Sequence, residues 1–196
     1  MTKVSQEELV TSAIASQVIC FPTDTVPALA VRPDQANKIF TLKQRSQDKP
    51  LILMAATAEQ LWQFVQGSSQ EMKIWAETAQ KYWPGALTLV LPASSQVHPS
   101  VNPNDPTTIG LRIPNHPLAL AILAQTGPLA TTSVNLSGEP PLEIFDEIDR
   151  KFPQLPILDY GKPGEKLGSG LPSTVAKWNL GHWEILRKGY IINLEL

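Results

Sequence analysis

The sequence predicts an α/β domain built on one twisted sheet of mixed parallel and antiparallel strands, flanked by helices. Three observations predict it. Short apolar runs alternate with amphipathic helical stretches along most of the chain, the pattern of strand–helix units. Near the C-terminus two further runs flank Asn179-Leu180-Gly181, adding an antiparallel hairpin to those units. The 196 residues, 42% hydrophobic and 17% charged, suffice for one core, and they contain neither an internal period nor a linker. A single domain over residues 1–196 is therefore expected.

Ser5 and Glu8 form a capping box, and Leu9, Val10, Ala13 and Ile14 recur at helical spacing, which predicts an N-terminal helix. Residues 18–21 form a buried strand that Pro22 ends, and residues 28–31 form a second. Asp34 is the expected cap of a helix bearing Ile39, Phe40 and Leu42 on one side, with Lys43 and Arg45 near its C-terminal end. Residues 51–54 are another apolar strand, and Thr57 with Gln60 caps a short helix carrying Leu61, Phe64 and Val65. A longer helix over 69–82 buries Met72, Trp75 and Ala79 and stops at Pro84-Gly85. Strands follow over 87–91 and 108–113, joined by a loop rich in Pro, Ser and Asn over 92–106. Asn115 is expected to cap a helix with Leu118, Ala121 and Ile122 that ends at Gly127. Next come a strand over 129–134, a helix over about 142–151, a short extended piece at 157–158, and the closing strands 175–178 and 183–186. The 18 prolines fall at element boundaries.

Several function classes drop out. Cys20 is the single cysteine, so no intramolecular disulfide can form, and its apolar surroundings make it a core residue. The N-terminus carries no apolar leader, and no apolar run approaches the roughly 20 residues that cross a bilayer, so a soluble cytoplasmic protein is expected. The net charge of −2 argues against a dedicated nucleic-acid binder. His98, His116 and His182 lie far apart without metal-ligand spacing, and His116 beside a helix start reads as structural. There is no P-loop, no Gly-x-Gly-x-x-Gly and no Gly-x-Ser-x-Gly elbow. The glycine-rich stretch 161–170 has no helix after it and reads as a flexible flap.

The distribution of charge says more than its sum. Arg32, Lys38, Lys43, Arg45 and Lys49 crowd one short stretch against Asp34 and Asp48. From residue 86 to 138 the charged side chains are Asp105 and Arg112 alone. Arg112 is flanked by Ile109, Leu111 and Ile113, so its guanidinium either pairs with a carboxylate such as Asp24 or grips an anionic ligand. Arg187 follows its strand in the same way. Three hydroxyl-rich segments follow strands, Pro22-Thr23-Asp24-Thr25, Thr131-Thr132-Ser133-Val134-Asn135-Leu136-Ser137-Gly138 and Pro172-Ser173-Thr174, where open α/β sheets bind ligands. Turn chemistry and a solvated helix face are the plainer readings of these residues. Physics alone reaches a crevice for a compact anion, a nucleotide or another phosphorylated ligand, using Lys43, Arg45, Lys49, Arg112 and Arg187. It leaves the reaction open.

Taken in order, the motifs resemble those of the threonylcarbamoyl-AMP synthase family of YrdC-like proteins. They are Pro22-Thr23-Asp24-Thr25, Leu42-Lys43-Gln44-Arg45, Lys49-Pro50-Leu51 and Trp83-Pro84-Gly85-Ala86-Leu87-Thr88, then Thr108-Ile109-Gly110-Leu111-Arg112-Ile113-Pro114, Ser133-Val134-Asn135-Leu136-Ser137-Gly138, Pro172-Ser173-Thr174-Val175 and Ile185-Leu186-Arg187-Lys188-Gly189. They run from about residue 5 to 190 and resemble the short, single-domain members.

The resemblance implies a YrdC-like fold and a nucleotidyltransferase that makes threonylcarbamoyl-AMP and pyrophosphate from L-threonine, bicarbonate and ATP. Separate transfer proteins then carry the threonylcarbamoyl group to adenosine 37 of tRNAs that read ANN codons. It implies Lys43, Arg45 and Arg187 on the phosphates, with Lys43 and Arg45 catalytic, and Thr108 and Asn135 completing the ATP site. Thr23, Arg112, Ser133 and Ser173 would hold threonine, with Arg112 on its carboxylate, and Lys49 would add to the field. Mg²⁺ would be held mainly by the nucleotide. Where the family has Tyr-Gly after the Pro-Thr-x-Thr motif, this chain has Val26-Pro27-Ala28, and Ser46 stands where Pro is frequent. A paralogue of the same fold that binds double-stranded RNA, tRNA or a nucleotide without catalysis is the alternative, as is an adenylate-forming enzyme for another amino acid.

Overall fold

The computed structural model describes residues 3–191 and Leu194. In chain order its elements are β1 (Lys3–Val4), α1 (Gln6–Ile14), β2 (Ile19–Phe21), β3 (Ala28–Val31), α2 (Asn37–Lys43), β4 (Ile52–Met54), α3 (Ala58–Trp62) and α4 (Ser69–Tyr82). The second half adds β5 (Leu87–Pro92), β6 (Thr108–Arg112), α5 (Pro117–Thr126), β7 (Leu129–Ser133), α6 (Phe145–Lys151), β8 (Ile157–Leu158), β9 (Thr174–Asn179) and β10 (His182–Arg187). All the strands join one sheet in the order β1-β8-β2-β3-β7-β4-β6-β5-β9-β10. Parallel pairs (β1 with β8, β2 with β8, β4 with β6, β5 with β9) alternate irregularly with antiparallel ones, so the expected mixed α/β sheet is what forms. No helix among the described residues is long and apolar enough to cross a membrane.

The pleat sends alternate residues to opposite faces, and each face builds its own core. Ile19 and Phe21 join Leu9, Val10 and Ala13 of α1 and Ile122 and Leu123 of α5. Cys20, between them, points the other way and joins the second core, which also takes in Ile39 and Phe40 of α2, Trp75 of α4 and Ile148 of α6. Burial pushes its thiol pKa up, which suits a core cysteine. The α1–α5 layer covers the β2–β3–β7 side of its face. Beyond β4, no helix among the described residues packs on that face, and a cleft opens there.

Most boundaries follow from local chemistry. The Ser5–Glu8 capping box forms, with the Ser5 amide and hydroxyl donating to Glu8 Oε2, each at 2.9 Å. Ser68 and Glu71 cap α4 in the same manner. Leu180 and Gly181 both adopt left-handed φ, +48° and +87°, the turn that matches the twist of a tight hairpin.

Other expectations need correction. Asp34 does not cap α2. Pro33, with its fixed φ, starts a separate 3₁₀ turn (Pro33–Gln35), Ala36 is the cap residue, and Asp34 pairs with Arg32 at 3.1 Å. Asn115 gives way to His116 as the residue before α5, because Pro117 fills the first helical position. Phe64 and Val65 lie beyond α3, Val65 bridging to Ala93, and Met72 is half-buried. The helix expected from 142 starts only at Phe145. The short strand β1 carries no alternation that would reveal it, and forms because β8 offers it an edge.

Candidate functional site

The uncovered part of the sheet floors a cleft of about 700 Å³, inside the usual size of a small-molecule site. Its composition is a consequence of the pleat. On β6, Ile109 and Leu111 enter the core while Thr108, Gly110 and Arg112 face the cleft. On β5, Leu87, Leu89 and Leu91 go inward and Thr88 and Val90 outward. After Ser173, β9 alternates likewise, with Ala176 and Trp178 in the core and Val175 and Lys177 in the cleft. Gly110 is obligatory for packing, since a Cβ there would come within 2.6 Å of Ile52 Cγ2.

Arg112 anchors the deep end and is only 3% exposed. Its Nε donates to Gly85 O (3.0 Å), NH1 to Thr25 Oγ1 (2.8 Å) and NH2 to Asp24 Oδ1 (2.6 Å). Burial lowers the guanidinium pKa and the Asp24 carboxylate opposes that, so the guanidinium keeps its charge. Both chemical readings of Arg112 therefore meet. It pairs with Asp24, and two of the five N–H groups of this cleft-lining side chain have no hydrogen bond to any described residue. Thr25 is held in turn by Thr23, which is fully buried, donates to Val26 O at 2.7 Å, and stands behind the wall rather than in the cleft.

The glycine-rich segment is pinned over this motif. Ser169 N donates to Asp24 O (3.1 Å) and Gly170 N to Thr25 O (2.9 Å). Gly168 has φ +73°, and a Cβ would lie 2.3 Å from Thr25 O, so only glycine permits the approach. The free flap expected from the glycine content is fastened at this end.

Ser133 and Asn135 form the wall at the end of β7. Asn135 Nδ2 donates to Leu136 O (2.8 Å) and Glu139 O (2.7 Å), and its Oδ1 accepts from Ser133 Oγ (2.7 Å) and Lys43 Nζ (2.8 Å). Lys43 is fully buried and also donates to Asn135 O (2.7 Å) and Ser133 O. Burial, and secondarily Arg45, push its ammonium pKa down to about 7. Its three donors are all taken by oxygens of the wall, so direct contact with a phosphate, expected from the resemblance, would cost one of those bonds.

Arg45, Thr108, Ser173 and Arg187 line the cleft as well. Arg45 donates to the carbonyls of Lys49 (2.8 Å) and Pro50 (3.2 Å). Lys49 itself is exposed and outside the lining. Ser173, 3% exposed, shares a hydrogen bond of 2.8 Å with Thr88 and accepts from Arg187 at its carbonyl (2.9 Å) and hydroxyl (3.1 Å). Thr108 donates to Asp105 Oδ2 at 3.0 Å. Thus seven of the ten residues expected at the site line one cleft, Lys43 and Thr23 brace it from behind, and Lys49 lies outside it. Sequence reasoning missed Thr25, Thr88 and Lys177 as lining residues, although strand alternation with Ser173 and Arg112 points to the last two. Among the described residues no group of three His, Cys, Asp or Glu side chains is placed to hold a metal ion.

Comparison with known proteins extends this picture. The Sua5/YciO/YrdC family model, described as telomere recombination, matches residues 14–189. Threonylcarbamoyl-AMP synthase of Escherichia coli (strain K12) is 35% identical over 182 residues, which cover 88% of this chain and 90% of that protein. The protein of the same name from Bacillus subtilis (strain 168) is 38% identical over 130 residues, covering 64% of this chain and 36% of its own. Among solved structures, P. abyssi Sua5 complexed with L-threonine matches with a TM-score of 0.80 at 27% identity, over 95% of this chain and 55% of that one. E. coli YciO, at 23% identity and a TM-score of 0.78, shares the fold.

Proposed function

This chain belongs to the Sua5/YciO/YrdC family, and on that premise we propose that it makes threonylcarbamoyl-AMP and pyrophosphate from L-threonine, bicarbonate and ATP. The observation that carries the reading is one cleft in which the buried Arg112, two further arginines and the hydroxyls of Thr25, Thr88, Ser133 and Ser173 converge. That set suits two anions brought together. Bicarbonate carboxylates the threonine amine with loss of water, and the resulting carbamate oxygen attacks the α-phosphorus of ATP, expelling pyrophosphate. Both partners are negative, so the protein's task is to offset their repulsion and fix their approach.

In this scheme Arg112 takes the threonine carboxylate with its uncommitted N–H groups, and Thr25, Ser133 and Ser173 surround the amino acid. Arg45 and Arg187 face the phosphates, with Thr108 and Asn135 beside the nucleotide. Lys43 holds Ser133 and Asn135 in register. A Mg²⁺ carried mainly by the triphosphate would neutralise oxygen charge there as pyrophosphate leaves. The product would pass to transfer proteins acting on tRNA in the cytoplasm.

Calorimetry on Arg112→Ala tests the assignment. Threonine affinity should fall about tenfold to a hundredfold, as expected for losing charged hydrogen bonds, while ATP affinity falls far less. Equal losses for both ligands, with the fold intact by thermal melting, would refute it.

A further inference from the structure

Lys177 stands apart from the other cleft cations. Arg45, Arg112 and Arg187 each donate to protein oxygens, but Lys177 has no hydrogen bond or ion pair with any described residue. It is half-buried on β9, between Val90 of β5 and Glu184 of β10 in the strand register, and so projects from the sheet floor rather than from a loop. Its electrostatic neighbour is Asp105, whose carboxylate is already occupied by Thr107 and by Thr108 Oγ1 at 3.0 Å. Glu184 accepts from Asn179 instead.

The lining carries a net charge of only +1, and Lys177 is one of the four cations that set it. Four cations line the cleft against three carboxylates, Asp48, Asp105 and Glu139. Without Lys177 the lining would be neutral, a poor receptacle for a polyanion. An ammonium with three free donors, fixed on a strand in a cleft whose other cations are each partly engaged by protein oxygens, matches phosphate oxygens. We infer that Lys177 is a further polyphosphate-binding residue, contacting the phosphate chain of the nucleotide and the pyrophosphate that leaves. The inference rests on the reaction proposed above and adds to it a residue outside the motifs that suggested that reaction.

Lys177→Met keeps the aliphatic stem and removes the charge; Lys177→Arg restores a donor. Titrate the natural protein and both variants with ATP, inorganic pyrophosphate and L-threonine, and record their melting temperatures. Loss of one charged contact should weaken ATP and pyrophosphate about tenfold in Lys177→Met, with most of it recovered in Lys177→Arg. Threonine affinity and melting temperature should stay unchanged. Unaltered pyrophosphate affinity in Lys177→Met overturns the inference, as does a parallel loss of threonine affinity or of thermal stability. If the natural protein binds pyrophosphate but not ATP, the proposed reaction fails and the pyrophosphate comparison still decides for or against Lys177. Binding of neither by the natural protein overturns both.

Discussion

At the scale of single residues, Lys43 shows how a buried cation braces the wall of a cleft without lining it. A fully buried ammonium is costly unless its hydrogens are matched, and here three oxygens from Ser133 and Asn135 match them. Burial still dominates and pulls the folded-state pKa down from 10.5 to about 7. Between those values the unfolded chain holds a proton that the folded chain has released. Stability therefore rises with pH across that window, and the burial cost of the charged form is borne in full below about pH 7. Denaturant titrations from pH 6 to 10 should show this rise in the natural protein and a flatter profile in Lys43→Met; parallel profiles would show that Lys43 does not titrate there. The need for a charged side chain at residues 43 and 112 is legible in the sequence, as is Asp24 as a partner for Arg112. That Lys43 turns inward is not, because its acceptors lie |i−j| = 90 and 92 away and arrive only through the sheet.

At the scale of elements, one rule distributes the chemistry. A strand with a core on one face and a cleft on the other reads as alternation between aliphatic and polar or small residues, and β5, β6 and β9 all do. That alternation makes Arg112 conspicuous among isoleucines and leucines, and it identifies Thr88 and Lys177 once Ser173 is placed in the cleft. Helix starts are less legible. Both miscast caps precede or adjoin a proline that takes the first position of a turn, at Pro33 and Pro117, and fixed φ outweighs side-chain capping there. The 161–170 segment misleads for a related reason. Glycine signals freedom, yet at Gly168 it signals contact, since only a missing Cβ admits the backbone to Thr25 O. Gly168→Ala should loosen this segment and lower threonine affinity several-fold, with little change for pyrophosphate, which the proposed reaction assigns to Arg45 and Arg187 instead of to the Thr25 end of the cleft. Unchanged threonine binding by calorimetry would show that the fastening has no part in the site.

At the scale of the whole molecule, function follows from an uneven covering of the sheet. Helices pack on both faces at the β2–β3–β7 side, whereas one face of β4–β6–β5–β9 is left bare. The bare face must be paved with residues that tolerate solvent or a ligand, and it collects motifs scattered from Thr25 to Arg187 into one cleft. The α/β class, the approximate extent of the helices and the closing hairpin are all legible locally, because periodicity and turn chemistry are local. Strand order is not. It depends on which edges the helices leave open, and it alone brings Asp24 against Arg112 across |i−j| = 88. The family resemblance supplies what local patterns lack, and 35% identity over 88% of the chain agrees with it.

The central claim is that this cleft joins a carbamate made from threonine to the α-phosphate of ATP. Its most direct test is pyrophosphate release from ATP by the purified chain, with threonine and bicarbonate omitted in turn and a Lys43→Ala/Arg45→Ala double variant as control. The account predicts release that requires both co-substrates and disappears in the variant. Release indifferent to threonine or bicarbonate, or none at all from folded protein that still binds ATP, would contradict it.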